Sequence, residues 1–211
     1  SGFQIAMKDL EIRGAGDILG ANQHGVINVV GVPHFIRMLN KAVEDLKSGR
    51  ADVLSGAEEE PEVTIELPIP AFIPDDYIVN ARDKIAAYQK LAGVDTAEYL
   101  EEIREEMLQD FGRLPREVSN LFRIIELKIL AKKAGITNIR SESVRGGKEI
   151  VLTMGPRVRP GNIVSLLEYS PLWNIGGTKL RVGITDLGAQ WFEELKECMK
   201  KLGESVRHGK R

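Results

Sequence analysis

Hydrophobic and polar positions alternate at period two over residues 2–8 (Gly-Phe-Gln-Ile-Ala-Met-Lys), which predicts a short strand. Four glycines (Gly14, Gly16, Gly20, Gly25) then interrupt the pattern and predict a loop. From about Pro33 to Lys47 the period becomes helical, with Phe35, Met38, Leu39, Ala42 and Leu46 on one face. Pro33 suits the first turn of that helix and Gly49 its end. Residues 48–62 are polar, acidic and aperiodic, and are expected to form a linker.

Alternation resumes at Val63-Thr-Ile-Glu-Leu67 and predicts a second strand. Pro68, Pro70 and Pro74 confine the next segment to an edge or an extended loop. Three helices are expected after it. The first covers about 79–92 with Ile85, Tyr88 and Leu91. The second covers about 96–111 and should bury Leu100, Ile103, Met107 and Phe111. The third, about 115–134, carries apolar residues on two sides (Val118, Leu121, Phe122, Ile125 and Ile129; also Ile124 and Leu130), as expected of a helix packed between other elements. Strands are then predicted at 136–143 and 148–154, joined through Gly146-Gly147. A helix over 160–169 comes next, and strands near 172–175 and 178–184 are joined through Gly176-Gly177. A last helix, about 187–206, should bury Leu187, Trp191, Leu195, Cys198 and Leu202. Helices followed by hairpin, helix, hairpin and helix predict an α+β domain rather than a parallel βαβ fold. The expected organisation is a segment of strand, loop and helix at 1–50, a linker at 51–62 and a compact α+β domain at 63–211.

Composition narrows the function classes. The formal net charge is −2 over 211 residues, so the chain as a whole has no field for holding DNA, and any nucleic-acid role must be local. The lone cysteine excludes an internal disulfide, and three scattered histidines provide no metal-ligand spacing. No apolar run reaches the ~20 residues of a membrane span, and the start does not pattern as a signal peptide. A reducing cytoplasm and no membrane partner are the expectation. Because the chain opens on Ser-Gly-Phe within a strand pattern, it is expected to be a piece of a larger protein.

Gly14-Ala-Gly16-Asp-Ile-Leu-Gly20 fails as a dinucleotide fingerprint, since the third glycine position holds Leu19. It also lacks the Gly-Lys-Ser/Thr ending of a phosphate loop. Arg13 stands among Asp9, Glu11 and Asp17 beside this glycine turn. Such a guanidinium can exchange carboxylate partners when domains rotate, or serve as a static ion-pair anchor; the residues alone leave both open. Farther on, Asp95–Asp110 holds seven acidic residues against one basic residue, Arg104, and the balance reverses from Arg113 to Arg140. With 100, 103, 107 and 111 buried, Glu98, Glu101, Glu102, Glu105 and Asp110 should be exposed. The helix is then either a solvated face or a surface for a basic protein. A rival DNA-binding reading would use Arg123, Lys128, Lys132 and Lys133. No nucleophile–base pair or metal cluster points to an enzyme acting alone.

Residues 2–25, through Asp9-Leu-Glu-Ile-Arg-Gly-Ala-Gly16, closely resemble the translocation motif that follows the motor motifs of RecG-type translocases and transcription-repair coupling factors. Length separates the two families, because RecG-type chains end soon after it. Here Ile65-Glu-Leu-Pro68, Ile73-Pro-Asp-Asp-Tyr77, Tyr88-Gln-Lys-Leu91 and Asp110-Phe-Gly-Arg-Leu-Pro115 resemble the C-terminal domain of the coupling factors. The resemblance implies that Arg13 and Gln23, with Asp9 and Glu11, couple ATP hydrolysis to movement on duplex DNA. The ATPase motifs themselves, and hence ATP and Mg, would belong to the parent motor, leaving this piece inactive alone and without a cofactor. It further implies a parent that displaces RNA polymerase stalled at lesions and recruits UvrA. The C-terminal domain would fold back on an N-terminal UvrB-like module and compete with UvrA. The charge asymmetry of the 96–111 helix, not the resemblance, points to Glu98, Glu102, Glu105 and Asp110 as the residues that make this contact. A RecG-like helicase tail carrying an unrelated DNA-binding module is the alternative.

Overall fold

The structure, a computed structural model, describes residues 63–208. The strand expected at 2–8, the glycine loop, the helix at 33–47, the linker and residues Asp9, Glu11, Arg13 and Gln23 lie outside the described residues. Within them the order is β1 (Thr64–Glu66), α1 (Ala81–Ala92), α2 (Ala97–Phe111), α3 (Arg116–Lys133), β2 (Ile136–Val144), β3 (Gly147–Met154), α4 (Pro160–Tyr169), β4 (Asn174–Gly176), β5 (Lys179–Gly183) and α5 (Trp191–His208). The architecture is α+β, as the patterning predicts. The chain divides into two compact units, and the division falls inside α3, between Ile125 and Glu126.

The first unit, in its described part, is Ile69–Ile125. Each helix has a local reason to begin and end. Asn80 caps α1, its side chain accepting from the amides of Arg82 at 2.9 Å and Asp83 at 3.3 Å. Proline-rich extended chain precedes α1, and its backbone polar groups are satisfied by side chains. The Tyr88 hydroxyl accepts from the Ile73 amide at 2.8 Å. Asn120 Nδ2 donates to the Pro70 carbonyl at 2.8 Å. Burial is the main reason the Tyr88 phenol is pushed up to about 12, so it stays neutral and keeps its role against Ile73. Buried Lys84 pairs with Asp75 on the same stretch. Phe122, Leu121 and Val118 of α3 are among the most deeply buried residues, together with Ile73, Leu91, Leu100, Ile103 and Met107.

The second unit, in its described part, is Val63–Pro68 with Glu126–His208. The two predicted hairpins do not stand apart. β3 and β5 pair antiparallel, Leu152 with Leu180 and Ile150 with Val182, giving one sheet in the order β1-β2-β3-β5-β4. β1 adds to its edge in parallel, Ile65 beside Ile139, across more than 70 residues of intervening chain. Alternation then assigns the faces. Ile139, Ile150, Leu152, Leu180 and Val182 are buried on one. Arg140, Glu142, Glu149 and Arg181 occupy the other, where Arg181 reaches Glu142 at 2.7 Å and Glu149 at 3.6 Å. Hydrogen bonds from Arg181 and Arg140 hold the Glu142 carboxyl below its ordinary range.

Three sequence expectations are corrected. The last helix begins at Trp191, not near 187, because Gly188 sits at φ +80° in a turn closed by the Trp191 amide on the Gly188 carbonyl at 3.2 Å. Trp191 is half-buried, and its neighbour Phe192 takes the core position with Leu195, Cys198 and Leu202. Phe111 is likewise half-buried, its ring edge-on to Tyr77 at 6.0 Å between centroids. Lys196 on α5 is nearly buried and pairs with Glu126 at 2.7 Å and Glu193 at 3.0 Å. Burial lowers its pKa, but these hydrogen bonds more than offset that, and the net shift is upward.

Replacing Tyr88 by Phe should lower stability by about 1–3 kcal/mol, because the Ile73 amide would be left buried without an acceptor. Urea unfolding followed by circular dichroism measures it. An unchanged midpoint would mean that water or another acceptor replaces the hydroxyl.

Candidate protein-interaction surface

Helix α2 is built to present one face. Thr96 caps it, its hydroxyl accepting from the Tyr99 amide at 3.2 Å. Gly112 ends it at φ +82°, a conformation that L side chains rarely adopt. Leu100, Ile103 and Met107 anchor the inward side, each about 3% exposed or less. At the far end the Tyr77 hydroxyl lies 3.1 Å from both the Met107 and Gly112 carbonyls, its one proton shared between them. That latch was not legible from periodicity, which says nothing about where a loop tyrosine lands.

With the inward side fixed, helical rotation of ~100° per residue orders the rest. Glu98, Glu102 and Glu105 fall within ~60° of arc, centred opposite Leu100, Ile103 and Met107. Gln109 continues the same stripe. All four are exposed. Asp110 is exposed too but lies ~120° round the helix from Glu98, on the flank shared with Tyr99 and Glu106. The structure therefore brings together three of the four residues expected to act as a surface and sets Asp110 apart.

Ion pairing sorts the carboxylates further. Glu101 is held by Arg104 Nε at 3.1 Å, and the Arg104 guanidinium lies 4.9 Å over the Phe122 ring. Glu106 pairs with Lys90 of α1. The Lys90 pKa is raised chiefly by that hydrogen bond, with Asp110 adding to the field. Among the described residues, no ion pair engages Glu98, Glu102 or Glu105. Three like charges thus share a face with no cation to neutralise them, while the neighbouring carboxylates are neutralised by their own unit.

The rival basic stretch separates in space. Arg123 is half-buried and donates to Asn120 Oδ1 at 3.4 Å, and Lys132 lies ~180° round α3 from it. The four cations do not form one face of the helix. Among the described residues no group of His, Cys, Asp and Glu could hold a metal ion, and no helix is long and apolar enough to cross a membrane. Burial pushes the Cys198 thiol up.

Residues 67–159 match the family model of the TRCF domain. The transcription-repair-coupling factor of Borreliella burgdorferi (strain ATCC 35210 / DSM 4680 / CIP 102532 / B31) is 43% identical over 143 residues, covering 68% of this chain and 12% of its own length. The transcription-repair-coupling factor of Staphylococcus aureus (strain USA300) is 34% identical over 215 residues, covering 98% of this chain and 18% of its own length. The chain therefore spans less than a fifth of these relatives. A crystal structure of the C-terminal domain of transcription-repair coupling factor superposes with a TM-score of 0.59 at 20% identity, covering 72% of this chain and 99% of that one. At that identity the likeness concerns the fold.

Glu102 stands four residues after Glu98 and three before Glu105, beyond the first turn where the helix dipole would favour it. Glu102→Gln should therefore leave stability unchanged or raise it by about 0.3–1 kcal/mol. Chemical denaturation of the two proteins tests this, and a clear loss of stability would mean the carboxylate serves the fold.

Proposed function

The chain belongs to the transcription-repair-coupling factor family, and on that premise we propose that it is the C-terminal part of a protein that displaces RNA polymerase stalled at DNA lesions and recruits UvrA for nucleotide-excision repair. In this reading residues 63–211 are regulatory. The α2 stripe docks on a basic surface of the parent's N-terminal UvrB-like module and hides the surface that UvrA would use. The observation that carries the proposal is the stripe of Glu98, Glu102 and Glu105, exposed, co-facial and without an ion-pair partner among the described residues. Three uncompensated carboxylates steer a basic partner and set its register, and release needs only the weakening of a few screened ion pairs. Asp110, committed to the Lys90 flank, has a lesser part.

The alternative of a RecG-like tail with an unrelated DNA-binding module draws little support from that basic stretch, because Lys128 and Lys132 share a face of α3 but Arg123 lies ~180° round the helix from Lys132. The TRCF-domain match over 67–159 also weighs against an unrelated module. Residues 1–50 are proposed to be the end of the motor, where Arg13 and Gln23, with Asp9 and Glu11, link ATP hydrolysis to movement on DNA. ATP and Mg would be bound by the parent's motor domains.

Changing Glu98, Glu102 and Glu105 together to Lys in the full-length protein should raise UvrA affinity by about tenfold or more, whereas Asp110→Lys alone should have little effect. Wild-type UvrA binding should also rise with salt as the clamp is screened. UvrA affinity unchanged by the triple substitution in a folded protein would sink the clamp. For the motor, Arg13→Ala should leave most ATP hydrolysis intact and abolish polymerase displacement; parallel loss of both would make Arg13 a structural anchor.

A further inference from the structure

The acidic stripe has a counterpart of opposite sign in the second unit, assembled from segments that the sequence keeps far apart. α5 crosses the end of α3 closely: a Cβ on Gly203 would lie 3.5 Å from the Ala134 amide and 3.6 Å from the Lys133 Cβ. Asn162 Nδ2 of α4 donates to Ser205 Oγ of α5 at 2.8 Å, which sets the start of α4 beside the last turns of α5. Between α3 and α4 the loop folds back, with the Gly155 amide on the Gly135 carbonyl at 2.8 Å and Arg157 donating to the Lys132 carbonyl. The C-terminal ends of α3 and α5 and the N-terminal end of α4 therefore meet, and Lys132, Lys133, Arg157, Arg159 and Arg207 are all exposed there.

Helix stability explains part of this charge. Lys132, Lys133 and Arg207 stand in last turns, where a cation complements the helix dipole, and Arg157 satisfies an end carbonyl of α3. Arg159 has no such explanation. It occupies the N-cap of α4, the positive end, and the first turn of α4 contains no acidic residue. A cation against that dipole opposes the helix it introduces. The cap interaction is made instead by Asn162, whose Oδ1 accepts from the Arg159 amide at 2.8 Å, so the guanidinium is not needed for it. Gly161, at the next turn position, faces open space, with nothing within 4 Å of where a Cβ would be. Pro160 has no N–H and the Asn162 amide donates to the Arg159 carbonyl at 2.9 Å, so this helix start offers a phosphate chiefly the Gly161 amide, and the flanking arginines supply the charge. Nearby Glu204 is the exception in sign, and Lys201 lies 3.8 Å from it.

We propose that this end of the second unit, centred on Arg159 and flanked by Lys133, Arg157 and Arg207, binds the phosphate backbone of duplex nucleic acid. An acidic protein is the less suited partner. Among the exposed large hydrophobic residues only Val164, in the second turn of α4, lies close to this end, and a lone valine is not the aromatic anchor that protein interfaces use. Dispersed cations with backbone amides are the ordinary means of holding phosphates without reading bases. The proposal is independent of the acidic stripe and of the clamp reading.

The test uses the whole chain and a fluorescently labelled duplex of mixed sequence, with anisotropy read over a range of salt concentrations. Wild type should bind with a negative slope of log affinity against log salt. Lys133→Gln, Arg159→Gln and Arg207→Gln combined should weaken binding about tenfold or more near 0.1 M salt and flatten the slope by roughly 0.9 for each phosphate no longer neutralised. Arg159→Gln alone should account for a measurable share. Unchanged thermal unfolding of the variants separates a weakened interface from a damaged fold. No duplex binding by wild type, or binding unaffected by the triple substitution, overturns the proposal. So does capture of poly-glutamate in preference to the duplex.

Discussion

The second unit depends on pairing between strands that are remote in sequence. β1 lies against β2 with Ile65 beside Ile139, and β3 lies against β5 with Leu152 beside Leu180. Neither pairing can form until the chain between has been brought round, a loop-closure cost that local helix formation reduces by shortening the intervening path. Once made, the pairings assign every residue of the sheet to a face. A slip of one residue would turn Ile139, Ile150 and Leu180 outward and bury Arg140, Glu142 and Arg181. The salt-bridged face of the sheet, half-covered and with Val151 buried among its charges, is thus a consequence of the register that buries its other face.

Electrostatics obey the same logic of placement. A chain with formal net charge −2 has little global field, yet its charges are strongly sorted. On α2 the carboxylates nearest the core are neutralised from within the first unit, Glu101 by Arg104 and Glu106 by Lys90. Those opposite the core have no counterpart. At the end of the second unit, cations from α3, the loop after it and α5 converge, and one of them sits where the helix field disfavours it. Charges that a fold neither needs nor neutralises are where an external partner would have most to gain. The two surfaces have opposite signs, and each selects a different chemistry of partner.

Much of the candidate site was readable beforehand because it lies on one helix. A 3.6-residue period, with Leu100, Ile103 and Met107 inward, places Glu98, Glu102 and Glu105 outward without knowledge of any other element. Asp110 shares their expected exposure, but rotation along the helix places it on another flank. The stripe's lack of partners was not readable, because it depends on Lys90 choosing Glu106 and on Arg104 lying over Phe122. The basic end was the least readable feature. Lys133, Arg159 and Arg207 are separated by 26 and 48 positions and share no period.

The features legible in the amino-acid order were therefore local: the helices, their caps, the hairpins, the α+β class and, through its phrases, the family resemblance. They arise from side-chain periodicity, from Asn80 and Thr96 as caps, and from glycine where backbone of positive φ is required. Long-range closure was needed to make two hairpins into one sheet, to bring Phe192 rather than Trp191 into the core, and to delay α5 past Gly188. It also settled which charges are committed to the fold and which remain open to a partner. The physical reason is the same throughout. A period along the chain specifies which way a side chain points, but its neighbour is specified only when distant segments close on one another.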